Sequence, residues 1–227
     1  MDRREPLLQR LRVHDYQRIK EANMANGANS AANVTTGKGV TGGYIFSAPF
    51  SQSVVEGLLT ASDKFAALGD TFDCLGHITS DGIVIAESKS TSTENDMNGD
   101  PILTSASERT ENARFTLAER SEAALKEQYG HSNVSVANNV ATIEHNNADR
   151  DHRIYVAELV KKDGNRLRQI IPDGQVTEVG DLTENSSTIL AREITIAANV
   201  FTWTTGSGDS AVTHSDTLIE FEQMPAA

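Results

Sequence analysis

The sequence predicts a mainly β fold, an antiparallel sandwich or barrel with one short flanking helix behind an extended N-terminal arm, and three observations predict it. Many short segments alternate apolar and polar residues with period two. Turns rich in Gly, Asp and Asn separate them at close spacing. One segment of the body carries both a helix cap and a helical period, and no 20-to-50-residue repeat points to a propeller or solenoid.

At the N-terminus, Pro6 suits a first helical turn, and Leu7, Leu8, Leu11, Tyr16 and Ile19 form a patchy apolar stripe that predicts a helix over 6–21. The following stretch is rich in Ala, Asn, Gly and Thr and cannot bury enough surface to hold a shape alone, so residues 1–42 read as a helix plus arm and 43–227 as the β body. In the body, Phe72, Cys74, Gly76 and Ile78 fall on one side of a strand, which points Cys74 inward. Ser80, Asp81 and Gly82 then read as a hairpin turn into a strand at Ile83, Val84 and Ile85. A long polar loop follows at about 88–100. Further strands are expected around Phe115 and Leu117, over 152–160, 166–171, 175–179 and 190–196, and from Leu218 to Phe221, with turns at 162–165 and 172–174. Ser121 as N-cap, Glu122 at the positive end, Leu125 and Tyr129 on one face and Gly130 as closer predict a two-turn helix over 122–129.

Composition narrows the function. With 227 residues and 38% of them apolar, the chain supports one ordinary core. Acids outnumber bases 32 to 20, a net charge of −12, which disfavours a broad grip on nucleic acid. The first 23 residues hold six bases against four acids, so they are +2 and the remainder is −14. No apolar run approaches the ~18 residues of a membrane span and the N-terminus lacks a secretory apolar region, so the expectation is a soluble chain made in a cytosol. The single cysteine, Cys74, excludes an intrachain disulfide.

Candidate chemistry is weak. Ser210 and His214 in GSGDSAVTH lack the strand-turn-helix frame of a nucleophile. Glu94, Asp96, Asn98 and Gly99 imitate a calcium loop, but Ser105 stands where a bidentate Glu belongs and Pro101 stiffens the exit. His145 and His152 bracket Asp149 and Asp151 in a stretch that reads as an exposed turn. Residues 36–39, TGKG, fail the phosphate-loop template because Ala32 replaces its first Gly and Gly39 its Ser or Thr. No catalytic, cofactor or metal site is expected, and no enzymatic activity.

In combination, four runs carry more than any alone: NVTTGKGVTGGYIFSAP at 33–49, TFDCLGHITSDGIVIAESKS at 71–90, ARFTLAERSEAALKEQYG at 113–130 and IIPDGQVTEVGD at 170–181. Together they resemble the major tail tube proteins of long, non-contractile-tailed phages over most of 33–184, in family order. The chain departs from that pattern where members often carry a Trp after the SDG turn, here NDMNGD, and residues 1–23 have no counterpart, Met24 matching a usual family start. The resemblance implies a virion tail protein, made and assembled in the host bacterial cytoplasm. It would form hexameric rings stacked helically around a tape-measure protein, meet tail terminator and distal tail proteins, and pass DNA without binding it specifically. It implies no membrane partner and no cofactor. A closed ring would also protect the open edges of an antiparallel sheet.

On that reading the polar loop reaches an adjacent ring through Ser92, Glu94, Asn95, Asp96, Met97, Asn98 and Asp100, and the arm buries Leu7, Leu8 and Leu11 on another subunit. Asp96, Asp100, Glu178 and Asp181 are candidate acids of a lumen that must not hold DNA. The alternative is a carbohydrate-binding or adhesion module. Such modules offer aromatic platforms, and with 12 aromatics and a sole Trp203 in alternating FTWTT, core or interface is the simpler use of that residue.

Overall fold

The computed structural model describes residues 34–224, apart from the side chains of Ser107 and Asp209. The helix expected over 6–21, with Leu7, Leu8 and Leu11, lies outside the described residues. The chain divides into a unit of residues 1–36 and one of residues 37–227, and every helix and strand below belongs to the second. In order they are β1 (Gly37–Gly39), β2 (Ile45–Pro49), α1 (Gln52–Thr60), β3 (Asp73–Cys74), β4 (Val84–Asn95), β5 (Pro101–Leu117), α2 (Glu122–Tyr129), β6 (Val134–Ala137), β7 (Val140–Ile143), β8 (His152–Lys161), β9 (Arg166–Val179), β10 (Arg192–Ala198), β11 (Phe201–Thr205), β12 (Val212–Asp216) and β13 (Ile219–Glu222). The fold is mainly β and antiparallel, as the alternation predicts.

The main sheet runs β3-β2-β8-β9-β10-β5-β4, with β1 also on β8 and β13 also on β9. Its two sides are tied by residues 73–79. Asp73 and Cys74 pair with β2, Leu75 N–H donates to Ile45 O, Ile78 bridges Leu117 and Thr79 N–H donates to Thr116 O. The result is barrel-like, and Ile45, Leu75, Phe115, Leu117, Tyr155, Ile171, Val176, Ile194 and Ile196 fill its interior. A second cluster of Ala48, Val55, Leu59, Ile154, Val156, Ile170 and Phe201 packs on the other face of β2, β8 and β9, with half-buried Trp203 and Phe221 against it. Strand β8 is therefore buried on both faces: Tyr155 faces the barrel interior while Ile154 and Val156 face the second cluster. This explains its unbroken apolar run.

Helix α1 supplies much of that second cluster. Val54, Val55, Leu58 and Leu59 form its apolar face, and Lys64 Nζ donates to Leu59 O at 2.6 Å at its C-terminus. The sequence predicts only one helix in the β body, at 122–129, and gives no sign of this one, which is nine residues long with Gly57 inside it. Helix α2 spans the expected 122–129, with the Ser121 hydroxyl accepting from Ala124 N–H. Gly130 closes it at φ 101, ψ 140, a positive φ but extended rather than left-handed helical. A third cluster, Leu125, Tyr129 and Val134 with Ile143 against it, seats α2 on the small β6–β7 hairpin. That hairpin was not anticipated either; Asn138 and Asn139, at φ 50 and 63, make its turn.

A buried polar knot fixes α2 to the sheet. The Glu127 carboxylate, 2% exposed, accepts from Ser47 Oγ at 2.6 Å and Tyr155 OH at 2.7 Å, and meets His131 Nε2 at 3.1 Å and Arg153 Nε at 2.9 Å. Burial opposes its ionisation, but the His131 hydrogen bond, the Arg153 charge and the Ser47 hydrogen bond outweigh it and hold its pKa below the ordinary carboxylate range. The same burial, then the Glu127 charge, push the Tyr155 phenol well up. A second tie joins Glu158 to Arg166 and Arg168, and these arginines donate to the carbonyls of Lys64, Phe65 and Ala66. They pin the loop that follows α1.

Four expectations need correction. Cys74 is exposed, because β3 is only two residues long and Leu75, fully buried, takes the inward position. The 80–82 turn is present, with Gly82 at φ 74, but it does not make a hairpin. Ile78 and Val84 both pair with the same strand, opposite Leu117 and Arg114, so the turn is an excursion from one edge. Residues 172–174 do not turn; β9 runs through them with a bulge opposite Arg153 and Tyr155. Gly174 is there for space, since a Cβ would lie 2.7 Å from the Tyr155 ring and 2.8 Å from Ile196 Cγ2. Finally, 88–100 is not a loop but most of β4 and its turn.

Candidate functional site

Strands β4 and β5 leave the body together as a two-stranded ribbon. Val84, Ile85 and Ala86 lie opposite Arg114, Ala113 and Asn112, where β5 still pairs with β10. Beyond that point, among the described residues, the two strands pair only with each other, and residues 86–95, 101–106 and 108–110 are exposed. From Glu87 to Asn95 the ribbon is about 30 Å long at ~3.4 Å per residue. Its composition explains the exposure: SKSTSTEN has the β-branched Thr that favours strands but no apolar face to bury.

The root of the ribbon is clamped by charge. Arg109 donates from Nε to Glu87 at 2.8 Å, from Nη1 to Thr217 Oγ1 at 3.1 Å and from Nη2 to Glu111 at 3.2 Å, while the Thr217 hydroxyl donates to Glu111. The hydrogen bond from Arg109 holds the Glu87 carboxyl below its ordinary range, and Glu87 in turn raises the Arg109 guanidinium. Sequence reasoning missed this clamp because Thr217 lies 106 residues from Glu111.

The tip is a closed polar turn. Asp96 Oδ1 accepts from Asn98 N–H at 2.8 Å and Asp100 N–H at 2.9 Å, Gly99 N–H donates to Asp96 O and Gly99 takes φ 89. The Asp100 amide, then the Asn98 amide, lower the Asp96 pKa. Met97 is 100% exposed at the apex, and Ile102 and Leu103 on β5 are 68% and 59% exposed. The predicted contact residues therefore come together at one end: Ser92, Glu94 and Asn95 on the strand and Asp96, Met97, Asn98 and Asp100 in the turn.

The four candidate luminal acids do not come together. Glu178, exposed on β9, stands in one cross-strand row with Thr195, Arg114 and Val84, and Asp181 is exposed just past the strand end. Asp96 and Asp100 lie some thirteen residues of β5 away from that row, roughly 40 Å along the ribbon.

The weaker motifs are placed plainly. The 94–105 segment is the ribbon turn and the start of β5, with Pro101 as the first strand residue, where no ladder N–H is lost. Residues 37–39 of TGKG pair with β8 as β1. Ser210 is exposed in a short 3₁₀ turn. His214 stacks on Trp203 at 4.5 Å and meets Thr205 Oγ1 at 3.0 Å, so it does not serve Ser210. Trp203 also donates to Asp216 at 2.9 Å and is half-buried, which removes it as a free platform. His152 sits 2.6 Å from Asp173, while His145 is edge-on to Tyr129. Among the described residues no group of three or more His, Cys, Asp or Glu is arranged to hold a metal, and no helix is long and apolar enough to cross a membrane.

No protein-family model and no curated protein matches the chain. Among solved structures it is similar to the tube-terminating cap of an anti-feeding prophage, with 11% identity, TM-score 0.38, and 86% of this chain and 99% of that one covered. It is also similar to a chain of the sheath–tube complex of an extracellular contractile injection system in its extended state, with 10% identity, TM-score 0.38, and coverage of 86% and 100%. Superpositions this loose carry no argument about function.

Proposed function

We propose that this chain is the structural subunit of a phage tail tube, forming hexameric rings that stack around a tape-measure protein and later pass genome DNA. The motif resemblance over 33–184 supports the reading, and the observation that carries it is the ribbon. A two-stranded hairpin is marginal on its own in water, and β4 presents a free edge along its outer side. An element this long, exposed on both faces and tipped with Met97, gains its stability from another subunit. The contact residues from Ser92 to Asp100 are then the part that reaches the adjacent ring, and the free sheet edge is what a ring closes.

Asp96 and Asp100 belong with that contact, which leaves Glu178 and Asp181 as candidate luminal acids. An acidic wall avoids the salt-sensitive attraction that paired Lys and Arg would give passing phosphates. The arm with Leu7, Leu8 and Leu11 is a second contact between subunits, and tail terminator and distal tail proteins cap the ends, in the virion tail.

Sedimentation and negative-stain imaging of the concentrated protein test the reading, with stacked rings around a channel as the expected result. A variant in which residues 91–107 are replaced by an Asn-Gly turn joins the paired residues Ser90 and Glu108 directly. It should stay folded and form no tubes. A wild-type chain that remains monomeric at every concentration, or a trimmed variant that still makes normal tubes, defeats the proposal.

A further inference from the structure

In a chain of net charge −12, two arginines share one cleft without a carboxylate partner. The cleft, of about 330 Å³, lies between the end of α2, the segment after β7 and the start of β10, and Arg150 and Arg192 line it with Gln128, Tyr129, Glu144 and His145. Arg192 Nε donates to Gly180 O at 2.7 Å and its guanidinium lies 5.1 Å over the Tyr129 ring. Arg150 Nη2 donates to Gln128 O at 3.0 Å. Neither arginine makes an ion pair among the described residues, and Arg150 Nη1 is buried with no hydrogen-bond partner.

Gln128 adds an independent observation. Its side chain is 1% exposed, and both its amide oxygen and its amide nitrogen lack partners, a costly state for a buried amide. The site is also held in shape. Asn133 and Asn146 exchange side-chain hydrogen bonds at 3.0 and 2.8 Å, Gln175 Nε2 donates to Arg150 O at 2.7 Å, and Arg150 Nη1 lies 2.6 Å from where a Cβ on Gly130 would stand. Burial, then repulsion from Arg192, lowers the Arg150 pKa, and the charges of Glu127 and Asp151 offset this only in part.

We infer that this cleft is a carboxylate receptor, and that its occupant is the acidic ribbon tip of a second copy of this chain, through Glu94 and Asp100. The inference rests on the tube reading and names the receptor for its ribbon. Residues 90–107 contain Glu94, Asp96 and Asp100 and no base. Asp96 spends its carboxylate within the turn, which leaves Glu94 and Asp100 to meet guanidinium groups. Glu144 on the cleft wall repels a polyanion more than a peptide carrying two separated carboxylates, which favours a peptide over a phosphodiester backbone. A ribbon about 30 Å long reaches beyond its own body to a neighbour.

The test uses full-length protein with charge reversal on either side, folding being checked by circular dichroism. R192E should raise the concentration needed for sedimentable assembly at least ~10-fold, as should E94K/D100K. An equimolar mixture of the two should assemble again, because each variant's tip then meets a complementary cleft. If R192E does not fold, R192Q carries the test: it should weaken assembly, and E94K/D100K added to it should weaken it no further. Normal assembly by R192E or by E94K/D100K, or failure of the mixture while wild type assembles, overturns the receptor and leaves the tube reading intact. Binding of a short DNA duplex to wild type but not to R192Q would make the cleft a phosphate site and also overturn it. A wild-type chain that never assembles removes both.

Discussion

Strands β8 and β4 belong to one antiparallel sheet, ten and twelve residues long, yet they face opposite surroundings. Strand β8 has an apolar cluster on each face, a strand on each side and the Glu127 knot at Tyr155 and Arg153. Strand β4, beyond Ala86, pairs with β5 on one side and is exposed to solvent among the described residues. The ladder hydrogen bonds are the same in kind. What differs is the apolar area removed from water, at roughly 25 cal/mol per Å², so the fold of the isolated chain rests on the body, and on the proposed tube reading the ribbon contributes by contact with another subunit. Substitutions should therefore separate cleanly into those that unfold the subunit and those that leave it folded but alone.

The largest loss is expected at Glu127. Glu127→Ala leaves Arg153 without its buried counter-ion and should cost about 3–5 kcal/mol, read as a lowered denaturation midpoint. Glu127→Gln keeps the volume but not the charge and should cost less. The pH dependence has a definite sign. Because the folded-state pKa of Glu127 is depressed, its contribution is fully present above the unfolded value, about 4.3, and is lost as pH falls through the lower folded value. The Glu127→Gln variant should lack that acid limb; an identical acid profile would break the assignment.

Next come changes that alter packing alone. Ile154→Ala empties a site with no exposure between β2, β8 and α1 and should cost about 2–5 kcal/mol. Gly174→Ala forces a methyl against Tyr155 and Ile196 and should cost about 1–3 kcal/mol. A neutral effect would show that Tyr155 and Ile196 do not need the space the missing Cβ leaves.

That position also shows what a sequence can and cannot disclose. The helix at 122–129 and the strand at 152–160 were legible because cap chemistry and burial leave marks in adjacent residues. Pro172, Asp173 and Gly174 spell a turn locally, but the bulge and the Tyr155 contact that override it come from strands far along the chain. In the sequence the ribbon looks like a loop because a strand with water on both faces has no reason to alternate; only its polarity and length are visible there. The residues from Ser92 to Asp100 that the proposal makes contacts do lie together at its tip. The Arg150–Arg192 cleft was not anticipated: 42 positions separate the two arginines, and only the fold of α2, β7 and β10 brings them together.

On the ribbon side the expected stability effects are small and the assembly effects large. Arg109→Ala removes the root clamp from a half-exposed site, so the denaturation midpoint should hardly move. Amide exchange along residues 87–95 should accelerate and tube formation should weaken, because a ribbon free to swing pays more ordering entropy on docking. Loss of global stability as large as that of Ile154→Ala would mean that the ribbon is part of the folding core after all.

The smallest effect is expected at Asp96, where two variants separate charge from geometry. Asp96→Asn keeps an oxygen able to accept from the Asn98 and Asp100 amides, so the turn should persist. Asp96→Ala removes that acceptor and should speed exchange at those two amides while leaving the midpoint of global unfolding unchanged. The pKa direction adds a check: both amides favour the ionised carboxylate, so protection at Asn98 and Asp100 should hold until pH falls below the ordinary aspartate range of about 3.9. Because Asp96 spends its charge inside the turn, Asp96→Asn should assemble nearly as well as wild type, whereas E94K/D100K should not. Equal failure of both would show that the tip is read by its total charge and not by the two carboxylates that point outward.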